Sequence, residues 1–352
     1  MKNKKINITI LFITMVLVLY FALKDDFNGI INQLKSANVF LLIIAILLLL
    51  LSLVFKSASL NVFINKYKKY SIKKTYALTL IGQFLNGITP FQSGGQPFQI
   101  YLLKKDKVRI SDSTNAMIKD FIAYQSALIL VGVLALLLNA KLDGFSKNVY
   151  LNGLIFLGFI INVIVMAILL LIALAKKTGF KLANKFVNFI FKFKLIRKLG
   201  LKEEKVKQSL RHFYETGTDI KNDKASVFKG IFYNVIHLLI LYSIPFVVFK
   251  SFGATSVSLL ASIVSVAFVM LIGNFIPIPG ATGGIEYSFL QFFGIYSSGA
   301  QLTGAMLIWR LITYFIPMIF GFVALLLKKE VKKDEDRVIY WYLSTIYKWC
   351  VN

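Results

Sequence analysis

The sequence predicts an all-α polytopic membrane protein with about six full spans and two opposed re-entrant helical hairpins, arranged as an inverted repeat. Three observations lead to this fold. Hydrophobic residues make up 57% of the 352-residue chain. Several apolar runs reach the roughly 20 residues that a helix needs to cross a bilayer. One helix-breaking, glycine-rich motif occurs twice.

The formal charge of +25 comes from basic residues whose positions alternate with the apolar runs. Basic residues lie between these runs rather than on one soluble face, so membrane topology explains the charge and nucleic-acid binding is not expected. Cys350 is the only cysteine, and the two histidines, His212 and His237, lie in different sequence environments. We therefore expect no disulfide framework, no metal site and no cofactor.

The first two apolar runs each predict one span. A basic start precedes Ile6 to Leu23, and no small-residue cleavage site follows, which indicates an uncleaved span with a cytoplasmic N-terminus. The second span, about Val39 to Phe55, returns the chain to a lysine-rich loop that begins with Lys56. That loop is expected to be cytoplasmic, because basic loops are retained on the cytoplasmic side.

The next segment is too short to cross the membrane twice. Thr75 to Leu103 separates two basic clusters that should both be cytoplasmic, and it has 29 residues (103 − 75 + 1). Two full crossings need about 40 residues. We therefore predict a re-entrant hairpin whose tip is Thr89 to Gly95. One tilted span followed by an amphipathic surface helix is the alternative.

Four further spans follow, at about Asn115 to Leu138, Tyr150 to Ala175, Val227 to Phe249 and Gly299 to Leu327. Between them, the basic segment 176–224 predicts a cytoplasmic interfacial helix that lies against anionic lipid headgroups, with a solvated linker as the alternative. The tail, 331–352, is expected in the cytoplasm, and the rest of the chain, 1–330, is predicted to form one transmembrane domain.

The region from Val257 to Ser297 contains no basic residue. The last span ends in lysines and so should end in the cytoplasm, which places the start of that span outside. This region is then a hairpin that enters from the external face, although its length also allows two thin crossings. Repeat A, about 39–138, and repeat B, about 227–327, would be inverted, as in many secondary transporters.

The repeated motif is a proline, three residues and two glycines. It occurs at Pro90 to Gly95 and at Pro279 to Gly284, with an offset of 189 residues (279 − 90). Proline removes a backbone donor and glycine removes the steric bias toward helix, so each copy breaks a helix. Broken backbone persists at membrane depth only where protein or a water-filled cavity surrounds it. Both copies are therefore predicted to line a binding site.

Four charged residues fall within the predicted spans and hairpins: Lys119, Asp120, Glu286 and Arg310. Each Lys, Arg or Asp costs about 2.5 to 3.5 kcal/mol at a helix centre, so these side chains should face the bundle interior. Lys119 and Asp120 are adjacent and cannot pair with each other on a helix. Pairing Lys119 with Glu286 and Asp120 with Arg310 is one arrangement. Pairs that only fix helix register, or a phosphate-binding role for either cation, are the alternatives.

The sequence offers little support for catalysis. It contains no Gly-Lys-Ser or Gly-Lys-Thr phosphate-binding loop, and Gly280 to Gly284 does not match a dinucleotide fingerprint. Two carboxylates far apart in the chain are no evidence for acid–base chemistry. We expect that the protein is not an enzyme.

Two patterns carry a family resemblance: Asn86-x2-Thr89-Pro90-x3-Gly94-Gly95-x-Pro97, and Pro277-x-Pro279-Gly280-x2-Gly283-Gly284-x-Glu286 with Arg310 in the last span. Over about residues 5 to 330 the chain resembles the flippase-like family, also called the lysylphosphatidylglycerol synthase transmembrane family. That family includes the lipid-translocating half of the multiple peptide resistance factor. The resemblance implies translocation of a lipid without its synthesis. Many members carry Glu and Arg where this chain has Gln96 and Gln99.

We therefore expect a flippase in the plasma membrane that moves a phospholipid or glycolipid with an anionic or sugar headgroup. Backbone N–H groups and polar side chains at the tips would bind the headgroup, while Arg310 and Lys119 would balance its phosphate. An embedded lipid-modifying enzyme and a non-transporting accessory subunit are the alternatives, and a homo-oligomer is compatible with the sequence. The candidate site residues are Asn86, Thr89, Pro90, Gln92, Gly94, Gly95, Gln96, Pro97, Gln99, Lys119, Asp120, Asn274, Pro279, Gly280, Thr282, Gly283, Gly284, Glu286 and Arg310.

Overall fold

A computed structural model describes residues 35–89, 92–142, 149–174, 223–273 and 278–328, together with a few single residues between these ranges. The predicted first span and the tail lie outside the described residues, as do nearly all of the basic segment and the site residues Pro90 and Asn274. Within the described ranges the secondary structure is helical and contains no strand.

In the described part of the chain the helices are α1 (Val39–Ile64), α2 (Ile72–Gly87), α3 (Gly95–Lys105), α4 (Ile110–Leu142), α5 (Val149–Leu174), α6 (Lys224–Ser251), α7 (Leu259–Gly273), α8 (Gly284–Phe293) and α9 (Gly299–Leu327). Of these, α1, α4, α6 and α9 are long and apolar enough to cross a membrane. The chain is therefore a helical membrane protein.

Helix α1 extends nine residues beyond the predicted end of the second span at Phe55 (64 − 55). Asn38 caps its start, since Asn38 Oδ1 accepts hydrogen bonds from the N–H groups of Phe40 at 3.0 Å and Leu41 at 3.3 Å. The prediction stopped early because Lys56 was assigned to a loop. In the structure Lys56 lies inside α1, where its Nζ is 3.0 Å from the Asp120 carboxylate.

Two pairs of short helices follow the long helices α1 and α6. Helices α2 and α3 have 16 and 11 residues, hence lengths of about 24 and 16 Å. Helices α7 and α8 have 15 and 10 residues, hence about 22 and 15 Å. All four are shorter than the roughly 30 Å hydrocarbon core. In each pair the two helices pack against each other, so each pair forms a helical hairpin.

The helix boundaries keep the sequence offset of 189 residues. Gly95 and Gly284 both begin a helix, and so do Ile110 and Gly299 (284 − 95 and 299 − 110). The packing follows the same correspondence, because α2 contacts the C-terminal half of α9 and α7 contacts α4, while α1 and α6 pack against each other.

Helix α9 changes its winding near its middle. It is α-helical over Gly299–Arg310, π-helical over Leu311–Phe315 and α-helical again over Ile316–Leu327. Pro317 lies just after the π segment and has no N–H to donate to the preceding turn, which accounts for the change. Such π segments occur often at functional sites. Here the segment follows Arg310 directly and contains Tyr314.

Close backbone contact between α2 and α9 generates a first prediction. A Cβ on Gly321 would lie 2.1 Å from the Leu80 carbonyl oxygen. Although alanine is intrinsically better than glycine in a helix, we expect Gly321→Ala to destabilise the protein by about 1 to 3 kcal/mol through overpacking. Thermal unfolding in detergent would show a melting temperature lower by several degrees.

The matched control is Gly153→Ala in α5, where nothing lies within 4 Å of the added Cβ. This variant should melt at or slightly above the wild-type temperature. Equal melting temperatures for the two variants would contradict the close approach of α2 and α9.

Candidate functional site

The tip of the first hairpin is held by its own polar side chains. The Gly94 N–H donates to Thr89 Oγ1 at 2.9 Å, and the Gly95 N–H donates to Asn86 Oδ1 at 2.8 Å. The Thr89 hydroxyl donates in turn to the Leu85 carbonyl at 2.8 Å. Asn86 and Thr89 therefore satisfy buried backbone groups where the helix is broken.

The two glutamines of α3 have different environments. Gln99 is buried, and its Nε2 donates to the Leu78 carbonyl at 3.0 Å, which ties α3 to α2. Gln96 is exposed, and Gln92 and Pro97 share that exposure. Of the predicted headgroup ligands in this hairpin, Gln92 and Gln96 are thus accessible, whereas Gln99 is a structural residue.

The tip of the second hairpin uses left-handed backbone. Gly280 has φ 65° and Gly283 has φ 88°, conformations that favour glycine. The Gly283 N–H donates to Glu286 Oε2 at 2.7 Å, and the Thr282 hydroxyl donates to the Pro279 carbonyl at 3.0 Å. Helix α8 begins directly after this turn, at Gly284.

Arg310 ties α9 to the second tip. Its Nε lies 2.7 Å from Glu286 Oε1, and its Nη2 donates to the Gly280 carbonyl at 3.1 Å. The guanidinium also stacks over the Tyr314 ring, 4.4 Å from the ring centroid. Arg310 is only 5% exposed, so these contacts replace the water that the cation loses on burial.

Tyr314 links the end of α2, just before the first tip, to the second tip. Its hydroxyl donates to the Gly87 carbonyl at 2.8 Å, at the end of α2. Its ring lies against Gly280, where an added Cβ would fall 2.4 Å from the Tyr314 Cζ. The segment Pro279–Ala281 also packs on α2. The second broken-helix motif therefore packs on α2, the helix that leads to the first motif, beside the largely buried Arg310–Glu286 pair.

Asp120 belongs to a separate buried network. Its carboxylate lies 3.0 Å from Lys56 Nζ and accepts a hydrogen bond from the Ser59 hydroxyl at 2.6 Å. Asn234 donates to Ser59 Oγ at 2.7 Å and accepts from Lys56 at 3.2 Å. This network connects α1, α4 and α6.

Lys119 lies near the loop between α1 and α2 rather than near Arg310. Its Nζ is 3.3 Å from Asp223, which also pairs with Lys66 at 3.0 Å. Burial favours a higher pKa for Asp223, but hydrogen bonds from Ser226 and Lys66 and the charge of Lys119 outweigh it and lower the pKa. Burial and two nearby carboxylates raise the pKa of Tyr67, beside Lys119, to about 12.

These contacts decide between the arrangements that the sequence left open. Neither the pair of Lys119 with Glu286 nor the pair of Asp120 with Arg310 occurs. Because Lys119 has its own carboxylate partner, the expectation that it balances a headgroup phosphate beside Arg310 is not supported.

Sequence reasoning missed two groups of residues. Tyr314 lies four residues after Arg310, so helical periodicity would have placed both on one face. Lys56 and Ser59 stand three residues apart in an apolar run, which also marks one helical face. Among the described residues, no group of three or more His, Cys, Asp or Glu could hold a metal ion.

Long apolar helices, two pairs of short helices and helix boundaries that recur at a 189-residue offset define a polytopic helical membrane protein. The chain belongs to the family described as the lysylphosphatidylglycerol synthase TM region, whose model matches residues 6–321.

Two relatives extend over nearly the whole chain. A UPF0104 membrane protein of Methanocaldococcus jannaschii is 27% identical over 348 residues, which cover 95% of this chain and 99% of that protein. A UPF0104 membrane protein of Archaeoglobus fulgidus is 25% identical over 325 residues, which cover 86% of this chain and 92% of that protein. The family match and these relatives place the protein in a membrane with a lipid-related context.

The charge pairing generates a second prediction. In a double-mutant cycle of Arg310→Ala and Glu286→Ala, each single change leaves an uncompensated buried charge and should be strongly destabilising. The double variant should therefore be more stable than the sum of the single effects by about 1 to 3 kcal/mol. Thermal or denaturant unfolding in detergent measures this coupling.

The control cycle combines Arg310→Ala with Asp120→Ala, whose partners do not overlap. Its effects should add within about 0.5 kcal/mol. A large coupling in the Asp120 cycle and none in the Glu286 cycle would contradict the pairing.

Proposed function

We propose that the protein is a lipid transporter that moves a phospholipid or glycolipid between membrane leaflets. The headgroup binds where the two hairpin tips meet, and the acyl chains stay in the surrounding lipid. One observation supports the proposal most strongly: Tyr314 and Arg310 connect the end of α2, just before the first tip, to the second tip in one largely buried polar junction.

The hairpin geometry supports this role. The helices of both hairpins are shorter than the hydrocarbon core, which favours two re-entrant hairpins that enter from opposite faces and meet near the midplane. Inverted repeats with broken helices at the midplane are the usual architecture of secondary transporters. Helices α3 and α8 both start at the tips, so their positive ends point toward the junction and favour a negatively charged group.

The Arg310–Glu286 pair suggests how a headgroup is held. The pair is closed and electrically neutral in the structure. A phosphate that approaches Arg310 would compete with Glu286 for the guanidinium, whose planar fork suits an oxyanion. The Glu286 carboxylate would then be available to accept from a hydroxyl or ammonium group of the same headgroup. An exchange of this kind fits a phosphate that carries a sugar or an amine.

Transport by the purified protein is the direct test of this function. Reconstituted into vesicles, a transporter moves a lipid of unchanged mass to the other leaflet, which leaflet-resolved lipid analysis detects. A change in lipid mass would instead indicate a lipid-modifying enzyme. If the lipid neither moves nor changes mass, the protein is an accessory subunit that needs a partner, and the proposal fails.

A third prediction uses the two glutamines of α3. Gln96→Leu should lower the initial transport rate at least about fivefold while the melting temperature stays within a degree or two, because Gln96 is exposed at the tip. Gln99→Leu should lower the melting temperature, because it leaves the Leu78 carbonyl without the bond from Gln99 inside the hairpin.

The assay pairs transport in vesicles with unfolding in detergent for both variants. Normal transport by the Gln96 variant at normal stability would show that the headgroup does not contact this face of the tip.

A fourth prediction concerns topology. In a Cys350→Ser background, Lys69→Cys and Lys107→Cys flank the first hairpin, and Ser256→Cys lies in the loop between α6 and α7. An impermeant thiol reagent added to intact cells should label Ser256→Cys and spare the other two. Labelling of Lys69→Cys or Lys107→Cys under these conditions would contradict a hairpin that enters from the cytoplasm.

A further inference from the structure

A lysine-lined cleft lies at the base of the first hairpin, at the end opposite the tip. It has a volume of about 760 Å³ and is bordered by the loop between α1 and α2 and by the turn between α3 and α4. Five lysines and one aspartate contribute to its wall; with its other residues the lining is Asn65, Lys68, Lys69, Tyr70, Ser71, Lys74, Lys105, Asp106 and Lys107. We name this feature the basal cleft.

Asp106 organises the basal cleft and is already engaged. Its backbone carbonyl accepts from Lys68 Nζ at 2.7 Å. Its carboxylate pairs with Lys328 at 3.1 Å and accepts a hydrogen bond from the Tyr70 hydroxyl. These contacts tie both ends of the hairpin and the end of α9 together. They also occupy the carboxylate that would otherwise neutralise the lysines.

Three other cleft lysines have no carboxylate partner among the described residues. In the part of the chain that the structure describes, Lys69, Lys74 and Lys107 form no ion pair, and the Lys74 ammonium lies 5.9 Å from the centroid of the Tyr70 ring. Ammonium groups held around one cleft repel one another, which costs free energy at low ionic strength. A bound anion would remove this repulsion and gain several charge-assisted hydrogen bonds.

The position of the cleft favours an anion that belongs to the membrane. Helix α2 starts in the cleft wall at Ser71 and Ile72, and no side chain caps this start, so its first N–H groups and positive end add to the positive field. Tyr67, Tyr70 and Tyr101 lie around this end of the bundle, as aromatic residues do at headgroup level. A phosphate carried by a lipid in the adjacent leaflet can reach this level without leaving the bilayer.

We propose that the basal cleft binds the phosphate group of an anionic phospholipid, at a site separate from the tips. The 16 residues of α2 put about 24 Å between the cleft and the tip, so one headgroup cannot occupy both sites. A lipid bound here bridges the two ends of the first hairpin and stabilises its base. This inference does not depend on transport activity.

The test compares ligands by thermal unfolding of the full chain in detergent. Short-chain phosphatidic acid should raise the melting temperature by at least about 3 °C at saturation, as expected for a ligand that binds only the folded state. Short-chain phosphatidylcholine and inorganic phosphate at the same concentration should raise it by less than 1 °C, or roughly within error. Melting temperatures measured over a series of phosphatidic acid concentrations give an apparent Kd.

Two triple variants with the same net charge distinguish lipid binding in the cleft from attraction to the overall positive charge. Lys69→Gln, Lys74→Gln and Lys107→Gln together remove cleft lysines and should weaken binding of phosphatidic acid at least about tenfold. Lys73→Gln, Lys104→Gln and Lys229→Gln together remove exposed lysines outside the cleft wall and should change the apparent Kd by less than about twofold.

Each outcome decides the proposal. Tenfold weakening in the first triple variant alone supports it. Equal weakening in both triple variants would show that only the overall charge attracts the lipid, and the assigned site would be wrong. An equal response to inorganic phosphate would show a site for soluble phosphate instead of a lipid. No response of the wild-type protein to phosphatidic acid would also overturn it.

Discussion

The structure depends on one constraint: backbone N–H and C=O groups need partners wherever a helix breaks in an apolar environment. Both tips meet this constraint with local polar groups. In the first, Asn86 and Thr89 accept from the N–H groups of Gly95 and Gly94. In the second, Glu286 accepts from Gly283, and Arg310 donates to the Gly280 carbonyl. The motif residues therefore stabilise the helix breaks, and the proposed headgroup site depends on that stabilisation.

The same contacts connect the two halves of the molecule. Tyr314 reaches Gly87 from the π segment of α9 and packs on Gly280, so one side chain links the end of α2 to the second tip. Arg310 and Glu286 form a closed neutral pair at this junction. A headgroup that separates the pair would also remove the ion pair that connects α9 to the second tip. Under the proposed function, this coupling is how headgroup binding would start the exchange between outward and inward openings.

Much of the fold could be predicted from the sequence because it depends on local pattern. The apolar run from Gly299 to Leu327 predicts α9 with the bounds that the structure shows. The 189-residue offset of the motif recurs in the starts of α3 and α8. Partner choice could not be predicted in the same way, because it depends on three-dimensional packing. Asp120 pairs with Lys56, which the positive charge had placed in a loop, and Lys119 pairs with Asp223, which lay outside the predicted spans. The roles of Gln96 and Gln99 could not be distinguished from the sequence either, because they differ only in burial, which depends on how α3 packs.

We propose above that a lipid headgroup binds where the hairpin tips meet. Photo-crosslinking with a phospholipid that carries a photoreactive headgroup tests this most directly, with adducts located by mass spectrometry of the purified protein in vesicles. We expect adducts to concentrate on the two tips, at residues 92–96 and 278–284, and an excess of unlabelled lipid to suppress these adducts. Adducts confined to the exposed apolar faces of α1 and α5, with none at the tips, would contradict it.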